Sequence, residues 1–183
     1  MAVTKIHSIK SNELAKLRYI ADPEKTDGGR LISTNVCSYN PLQAHQNFAD
    51  IRKTGTGRNT ILSQHFIQSF KPGEITADEA LLIGDELCHR FLKDEYQYFL
   101  AVHQDKEHIH VHVIFNNINM FNHKTFETNE NQGGKRFRAW KKLRDASDQL
   151  CREHNLSVIE TDSDAEAFDF KNTETFGGYE NED

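Results

Sequence analysis

The sequence predicts an α+β domain whose central sheet is largely antiparallel and flanked by helices. Three observations support this fold class. Residues 108–113 alternate histidine with an aliphatic residue, which is typical of a strand whose two faces have different surroundings. Residues 96–102 are rich in strand formers, and the polar residues 104–107 between the two segments predict a hairpin turn. Amphipathic segments with helix-capping residues separate the other predicted strands.

The predicted elements follow the order β-α-β-α-β-α-β-β-α. Asn12 is expected to cap the first helix, Pro41 to open the second, and Thr76 with Glu79 to form the capping box of the third. The predicted strands are 2–6, 30–37, 64–70, 96–102 and 108–115. The predicted helices are 13–20, 41–52, 77–92 and 137–154. Helices are expected to cover the aliphatic face of the sheet and to leave the histidine face accessible.

Composition and charge predict one compact domain with an acidic tail. At 183 residues, with 37% hydrophobic and 27% charged residues, the chain is long enough for one well-formed core. Residues 160–183 hold nine acidic residues and one basic residue, whereas the whole chain has a net charge of −6. Residues 1–159 therefore carry a net charge of +2, which permits a phosphate-bearing partner. We expect the domain over 1–159 and a tail over 160–183 that is poorly ordered or begins a following region.

Cysteine usage and the distribution of apolar residues predict a cytoplasmic protein with no membrane partner. Cys37, Cys88 and Cys151 are far apart, which argues against a disulfide framework and against a zinc–cysteine site. No run of about 18 apolar residues is present, and the first residues do not resemble a signal peptide.

The histidine-rich segment is the clearest candidate site. On the predicted hairpin, His103 ends one strand, while His110 and His112 share one face of its antiparallel neighbour. Three neutral imidazoles can converge on one ion and leave positions open for water and substrate. Such an ion can polarise a phosphoryl or carbonyl oxygen, or activate water. His108 is expected on the same strand face, near the site or in solvent.

Four other side chains are candidates to assist these histidines. Asp105 can orient a ligand histidine or act as a base, with a simple turn residue as the alternative. Asn116 can contact the substrate or the ligand shell, or merely end the strand. His65 either joins the site or is buried with a partner. Tyr19, in the last turn of the first helix, is an alternative to water as the nucleophile.

Three segments resemble the relaxase and mobilisation nuclease family, which comprises DNA strand transferases of conjugative plasmids and integrative elements. The segment from His103 through Asp105 to His110, His112 and Asn116 is similar to the three-histidine motif of this family. Residues 17–26 resemble its tyrosine motif and residues 64–74 its middle segment. The three segments follow the order of the family, and the resemblance as a whole covers residues 3–158. The resemblance is to the MOBP-type conjugative relaxases, of the His-hydrophobe-His (HUH) endonuclease superfamily.

This resemblance implies a fold, a reaction and a cofactor. The fold would be HUH-endonuclease-like, with the relaxase catalytic domain over 1–159. Tyr19 would attack a phosphodiester at a transfer origin and give a 5′-phosphotyrosine, with Asp105 assisting. His103, His110 and His112 would bind Mg²⁺ or Mn²⁺, with other transition metals as alternatives. The implied partners are single-stranded or hairpin DNA, accessory DNA-processing proteins and a coupling protein.

Two other functions remain open at the level of sequence. The alternating histidines also resemble the pattern of the histidine-triad nucleotide hydrolases, which use a histidine nucleophile and need no metal. A non-catalytic module that binds single-stranded DNA is the second alternative. For a relaxase and for a non-catalytic DNA-binding module alike, basic residues are candidates for contact with DNA phosphates. These candidates are Lys53, Arg58, Lys135, Arg136, Arg138, Lys141 and Lys142.

Overall fold

The computed structural model describes residues 3–55, 60–126 and 135–158. Its strands are β1 (Val3–Ile9), β2 (Ile32–Thr34), β3 (Ser63–Ser69), β4 (Tyr98–His103) and β5 (His110–Asn116). Its helices are α1 (Glu13–Ile20), α2 (Pro41–Arg52), α3 (Ala77–Leu92) and α4 (Lys135–Glu153). This order confirms the predicted succession of elements. The predicted tail, 160–183, lies outside the described residues, and the division at residue 159 stays a prediction.

The five strands form one antiparallel sheet in the order β1-β3-β5-β4-β2, with β5 at its centre. Strands β4 and β5 form the predicted hairpin, whose register pairs His103 with His110 and Ala101 with His112. Because side chains alternate between the faces, all three histidines lie on the same face of the sheet. The fold class predicted from the sequence is therefore confirmed.

Helices α3 and α4 cover the aliphatic face of the sheet. Val111, Val113 and Phe115 of β5 belong to a buried cluster with residues of both helices. Gly84 lets α3 approach the sheet closely, since a Cβ atom at this position would lie 2.7 Å from Cγ1 of Val111. Among the helices of the described residues, none is long and apolar enough to cross a membrane.

The histidine face is also covered, which corrects the expectation that this face stays accessible. Helices α1 and α2 pack on it through a second buried cluster that includes Phe48, Phe99 and Ile114. The physical reason is that β4 and β5 are apolar on both faces away from the histidines, so that both faces require a cover. His103, His110 and His112 are accordingly buried, with 2%, 6% and 9% of their surfaces exposed.

A buried carboxylate connects the two helices of the histidine face. Glu13 begins α1 with a side chain that is 0% exposed, and both of its oxygens accept hydrogen bonds from Arg52 of α2 at 2.9 Å. Nδ1 of His45 lies 2.7 Å from the same carboxylate. The three side chains therefore fix the start of α1 against α2, six residues before Tyr19.

Helices α1, α2 and α3 start where predicted, whereas α4 starts at Lys135 rather than at residue 137. At α1 the capping chemistry differs from the prediction. Thr76 and Glu79 form the expected capping box of α3, and Pro41 is the first residue of α2. Asn12 precedes α1, but its backbone is left-handed and its side chain makes no capping hydrogen bond. The side chain of Asn40 instead provides such a cap at α2.

Candidate active site

The ends of β4 and β5 next to their hairpin turn bring the predicted ligand histidines together near the C-terminal end of α1. The ring centroids of His103 and His112 are 4.3 Å apart, and those of His110 and His112 are 6.0 Å apart. Nε2 of His103 donates a hydrogen bond to the carbonyl oxygen of Ile20, at 2.9 Å. Since a carbonyl can only accept, Nε2 of His103 carries a hydrogen in this arrangement. His103 thus joins the imidazole cluster to the residue that follows Tyr19.

Burial keeps the cluster neutral. It lowers the pKa of His112 well below the usual value, and neighbouring histidines lower it further. Burial likewise lowers the pKa of His110 to about 4 and, against opposing hydrogen bonding to Ile20, the pKa of His103. Neutral imidazoles are the form that binds metal ions.

The donor set suits a divalent ion chemically, but the rings do not converge in their present orientations. Within residues 3–55, 60–126 and 135–158, no three potential ligand side chains are arranged to hold one metal ion. One cause is the hydrogen bond that engages Nε2 of His103 with Ile20. His103, His110 and His112 remain the residues that would hold an ion, and their ligand role stays a prediction.

His65 is buried beside His112 and connects it to β1, and its part in the site stays a prediction. Nε2 of His65 lies 3.1 Å from Nδ1 of His112, and Nδ1 of His65 lies 3.1 Å from Nε2 of His7. His65 is 1% exposed, and burial lowers its pKa well below the usual value. The register that pairs His7 with His65 creates this row of rings. Because the row occupies Nδ1 of His112, Nε2 is the nitrogen left for a ligand.

His108 does not lie on the strand, which corrects the prediction that it shares a strand face with its neighbours. Strand β5 begins at His110, and His108 is part of the turn that precedes it. Its ring nevertheless contacts that of His110, with centroids 4.1 Å apart. The polar turn is longer than expected, so that strand alternation starts two residues later.

Asn116 and Asp105 make contacts that the sequence did not specify, and both of their proposed site roles stay predictions. Asn116 is 0% exposed, and its amide donates to the carbonyl of Phe48 and to the side chain of Gln97, each at 3.0 Å. These bonds tie β5 to α2, and a contact with substrate stays a prediction. Asp105 lies in the turn with its carboxylate 3.5 Å from Nζ of Lys25.

Tyr19 lies beside the imidazoles, and its role as the nucleophile stays a prediction. Its ring is 5.8 Å from that of His103, and Nζ of Lys25 lies 4.2 Å from its centroid. The other described tyrosines are placed differently. Tyr98 donates to Asp85 at 2.8 Å on the aliphatic side of the sheet, Tyr96 packs on Phe115, and Tyr39 is 64% exposed.

Lys25 lies within the tyrosine-motif segment 17–26, but the sequence assigned it no role of its own. It follows Tyr19 by six residues in a polar loop, and polarity alone does not indicate where its side chain points. The charges of Lys25, Lys16 and Lys106 each lower the pKa of a site histidine, so all three cations are near the cluster. None of them belongs to the predicted DNA-binding set.

The predicted DNA-binding residues are dispersed or lie outside the description. Lys53 follows α2, is exposed and pairs with Asp50. Lys141 and Lys142 lie on α4, which packs on the aliphatic face, away from the histidines. Arg58 is outside the described residues, as are the side chains of Lys135, Arg136 and Arg138. Their contact with DNA stays a prediction.

Comparison with known proteins decides the family. Residues 19–156 match the family model of the MobA/VirD2-like relaxase nuclease domain. The chain belongs to this relaxase family. The match begins at Tyr19 and includes every predicted metal ligand.

Relatives and solved structures agree with this assignment. The protein Rlx of Staphylococcus aureus is 33% identical over 164 residues, which are 90% of this chain and 46% of that protein. The group II intron-interrupted relaxase LtrB of Lactococcus lactis subsp. cremoris is 30% identical over 78% of this chain and 31% of that protein. The chain thus spans less than half the length of these relatives.

Two solved structures share the fold. One, described as the molecular basis of vancomycin resistance transfer in Staphylococcus aureus, superposes with a TM-score of 0.53 and 13% identity, covering 86% of this chain and 96% of that one. The other is the conjugative relaxase TrwC with oriT DNA in a metal-bound form, with a TM-score of 0.50 and 8% identity, covering 87% and 73%. Their agreement supports the fold of an antiparallel sheet flanked by helices.

Proposed function

We propose that this domain nicks single-stranded DNA at a transfer origin and transfers the strand through Tyr19. The observation that carries this proposal is the contact of Tyr19 with His103, which in turn packs on His112. Oη of Tyr19 attacks the phosphorus atom, the bond to the 3′ oxygen breaks, and the 5′ phosphate stays on the tyrosine. The phenolic proton ends on the released 3′ hydroxyl. The reverse attack by a 3′ hydroxyl rejoins the strand.

A divalent ion, Mg²⁺ or Mn²⁺, is part of the proposal. When bound, such an ion would stabilise the charge that develops on the scissile phosphate. The low pKa values of His110 and His112 support its binding, because neither imidazole has to lose a proton first at neutral pH. His65 would keep Nδ1 of His112 engaged and so direct Nε2 towards the ion.

The proposed substrate is a single strand or hairpin from a transfer origin. Lys16, Lys25 and Lys106 supply positive charge at the histidine cluster, which supports the approach of a phosphate backbone. TrwC, which shares the fold, was solved with oriT DNA. Accessory DNA-processing proteins, a coupling protein and action in the cytoplasm are further parts of this proposal. The family match favours it over nucleotide hydrolysis.

A covalent-adduct assay tests the proposal. Labelled oligonucleotides that tile the DNA flanking the gene are incubated with Mn²⁺ and the parent protein, Tyr19→Phe or Tyr39→Phe. Tyr39 is the matched control, because it is exposed and makes no ring contact with the cluster among the described residues. We expect an adduct that survives denaturing electrophoresis in the parent and in Tyr39→Phe. It should be absent from Tyr19→Phe and from reactions that contain a chelator.

Each other result would point to a different function. An adduct that persists in Tyr19→Phe would move the nucleophile to another residue. Oligonucleotide binding without any adduct would support the non-catalytic DNA-binding module. Hydrolysis of adenosine phosphoramidates without metal would support the histidine-triad alternative.

A further inference from the structure

Lys25 reaches from the loop after α1 back over the end of that helix. Its ammonium nitrogen lies 4.2 Å from the centroid of the Tyr19 ring and 3.5 Å from Oδ2 of Asp105. The side chain is 20% exposed, so the cation borders both the protein and solvent. A cation in this position is next to the proposed nucleophile and remains accessible to a bound strand.

Backbone hydrogen bonds hold Lys25 in place. Its N–H donates to the carbonyl of Asp22 at 3.0 Å, and its own carbonyl accepts from the N–H of Gln104 at 3.2 Å. The next residue, Thr26, is fully buried, and its hydroxyl donates to the carbonyl of Asp22 at 2.8 Å. The loop is therefore fixed to the hairpin turn that carries the histidines, and Lys25 begins from a defined position.

The charge of Lys25 is retained in this environment. Burial lowers its pKa, but the interactions with Tyr19 and Asp105 together raise the pKa by more than burial lowers it, so that the pKa lies above the usual value. The same charge lowers the pKa of His103 and of His112, so Lys25 acts electrostatically on two of the proposed metal ligands. Lys25 is thus a permanent cation at neutral pH.

The contacts of Lys25, including its cation–π contact with the Tyr19 ring, contribute only modestly to folding. A partly exposed pair such as Lys25 with Asp105 contributes little to folding, because water screens the charges. A fixed cation next to a reacting oxygen acts differently, since it stabilises negative charge that develops in the transition state. The contact with Tyr19 is therefore the informative one.

We propose that Lys25 is a catalytic residue of the strand transfer, an inference that rests on the proposed function. Its ammonium stabilises the charge shared by the Tyr19 oxygen and the attacked phosphate. As the bond from Oη to phosphorus forms and the bond to the 3′ oxygen breaks, Lys25 keeps its protons and donates hydrogen bonds. Asp105 is then a positioning residue, which holds the ammonium over Tyr19 rather than removing a proton.

Three variants test this role in single-turnover adduct formation with Mn²⁺ and the oligonucleotide that the parent cleaves. Lys25→Met removes the charge and keeps the length of the side chain, whereas Lys25→Arg keeps the charge. Lys71→Met, at an exposed lysine after β3, controls for the loss of a surface charge. We expect Lys25→Met to slow the reaction on the order of 100-fold, with Lys25→Arg within about 10-fold of the parent.

Binding measurements separate catalysis from structure. Lys25→Met should leave thermal unfolding nearly unchanged, and it should not weaken Mn²⁺ binding, because it removes a like charge from the site. On the Tyr19→Phe background it should weaken oligonucleotide binding far less than it slows the reaction. Equal rates for Lys25→Met and the parent would overturn the inference, as would a slower rate fully matched by weaker oligonucleotide binding. Failure of the parent to form any adduct would overturn the proposed function and this inference together.

Discussion

Acid should destabilise the metal-free domain through His110. This imidazole is 6% exposed, and burial, with the charges of His108 and Lys106, lowers its pKa to about 4. In the unfolded chain its pKa would be about 6.5. Between these values the unfolded state binds more protons, so the stability present above the unfolded pKa is lost as the pH falls. From about pH 7.5 to about pH 5.5, this linkage removes about 1.3 kcal/mol of unfolding free energy.

Urea unfolding of the parent and His110→Asn, both with chelator, isolates this contribution. The stability of the parent relative to the variant should fall by about 1.3 kcal/mol over the same pH range. His154→Asn, at a histidine with 44% of its side chain exposed, controls for the general loss of an imidazole. A difference between the parent and His110→Asn that does not change with pH would refute the reasoning, because His110 would then titrate alike in both states.

Two further substitutions test how the site is supported. Glu13→Gln should lower the unfolding free energy by about 3 kcal/mol, because Arg52 would lose its buried charged partner. Chemical denaturation measures this change, and a decrease well under about 1 kcal/mol would contradict the prediction. His65→Phe, which keeps an aromatic ring but removes the nitrogen next to His112, should weaken Mn²⁺ binding roughly 10–100-fold by calorimetry. Unchanged affinity in His65→Phe would show that the row of rings does not orient the ligand.

Local patterns in the sequence predicted the hairpin and its three histidines well. Alternation assigns side chains to faces, so that the shared face of His110 and His112 follows from neighbouring residues alone. The register does not follow in this way, since a turn over 104–107 would pair His103 with His108, whereas the structure pairs it with His110. The contact between His7 and His65 has no such basis. It depends on the pairing of β1 with β3, whose partners are 58 residues apart, and periodicity does not specify which distant strands pair.

The sequence contains a signal that could have predicted the cover over the histidine face. Residues 98–102 are continuously apolar, as are residues 113–115, and such runs indicate strands that are buried on both faces. The alternation at the histidines describes only the end of β5 near the turn. Lys25, by contrast, has no signal of this kind, because a loop residue acquires its neighbours from the path of the folded backbone.

His103 has two duties in the structure, which affects how substitutions of the three histidines are interpreted. It packs on His112 within the proposed ligand set, and it donates to the Ile20 carbonyl at the end of the helix that carries Tyr19. Its loss would therefore remove a ligand and also leave a buried carbonyl without this partner, which disturbs the nucleophile. His110 contacts the rings of His108 and His112. An effect of a substitution at His103 on strand transfer would therefore combine the loss of a proposed ligand with the displacement of Tyr19.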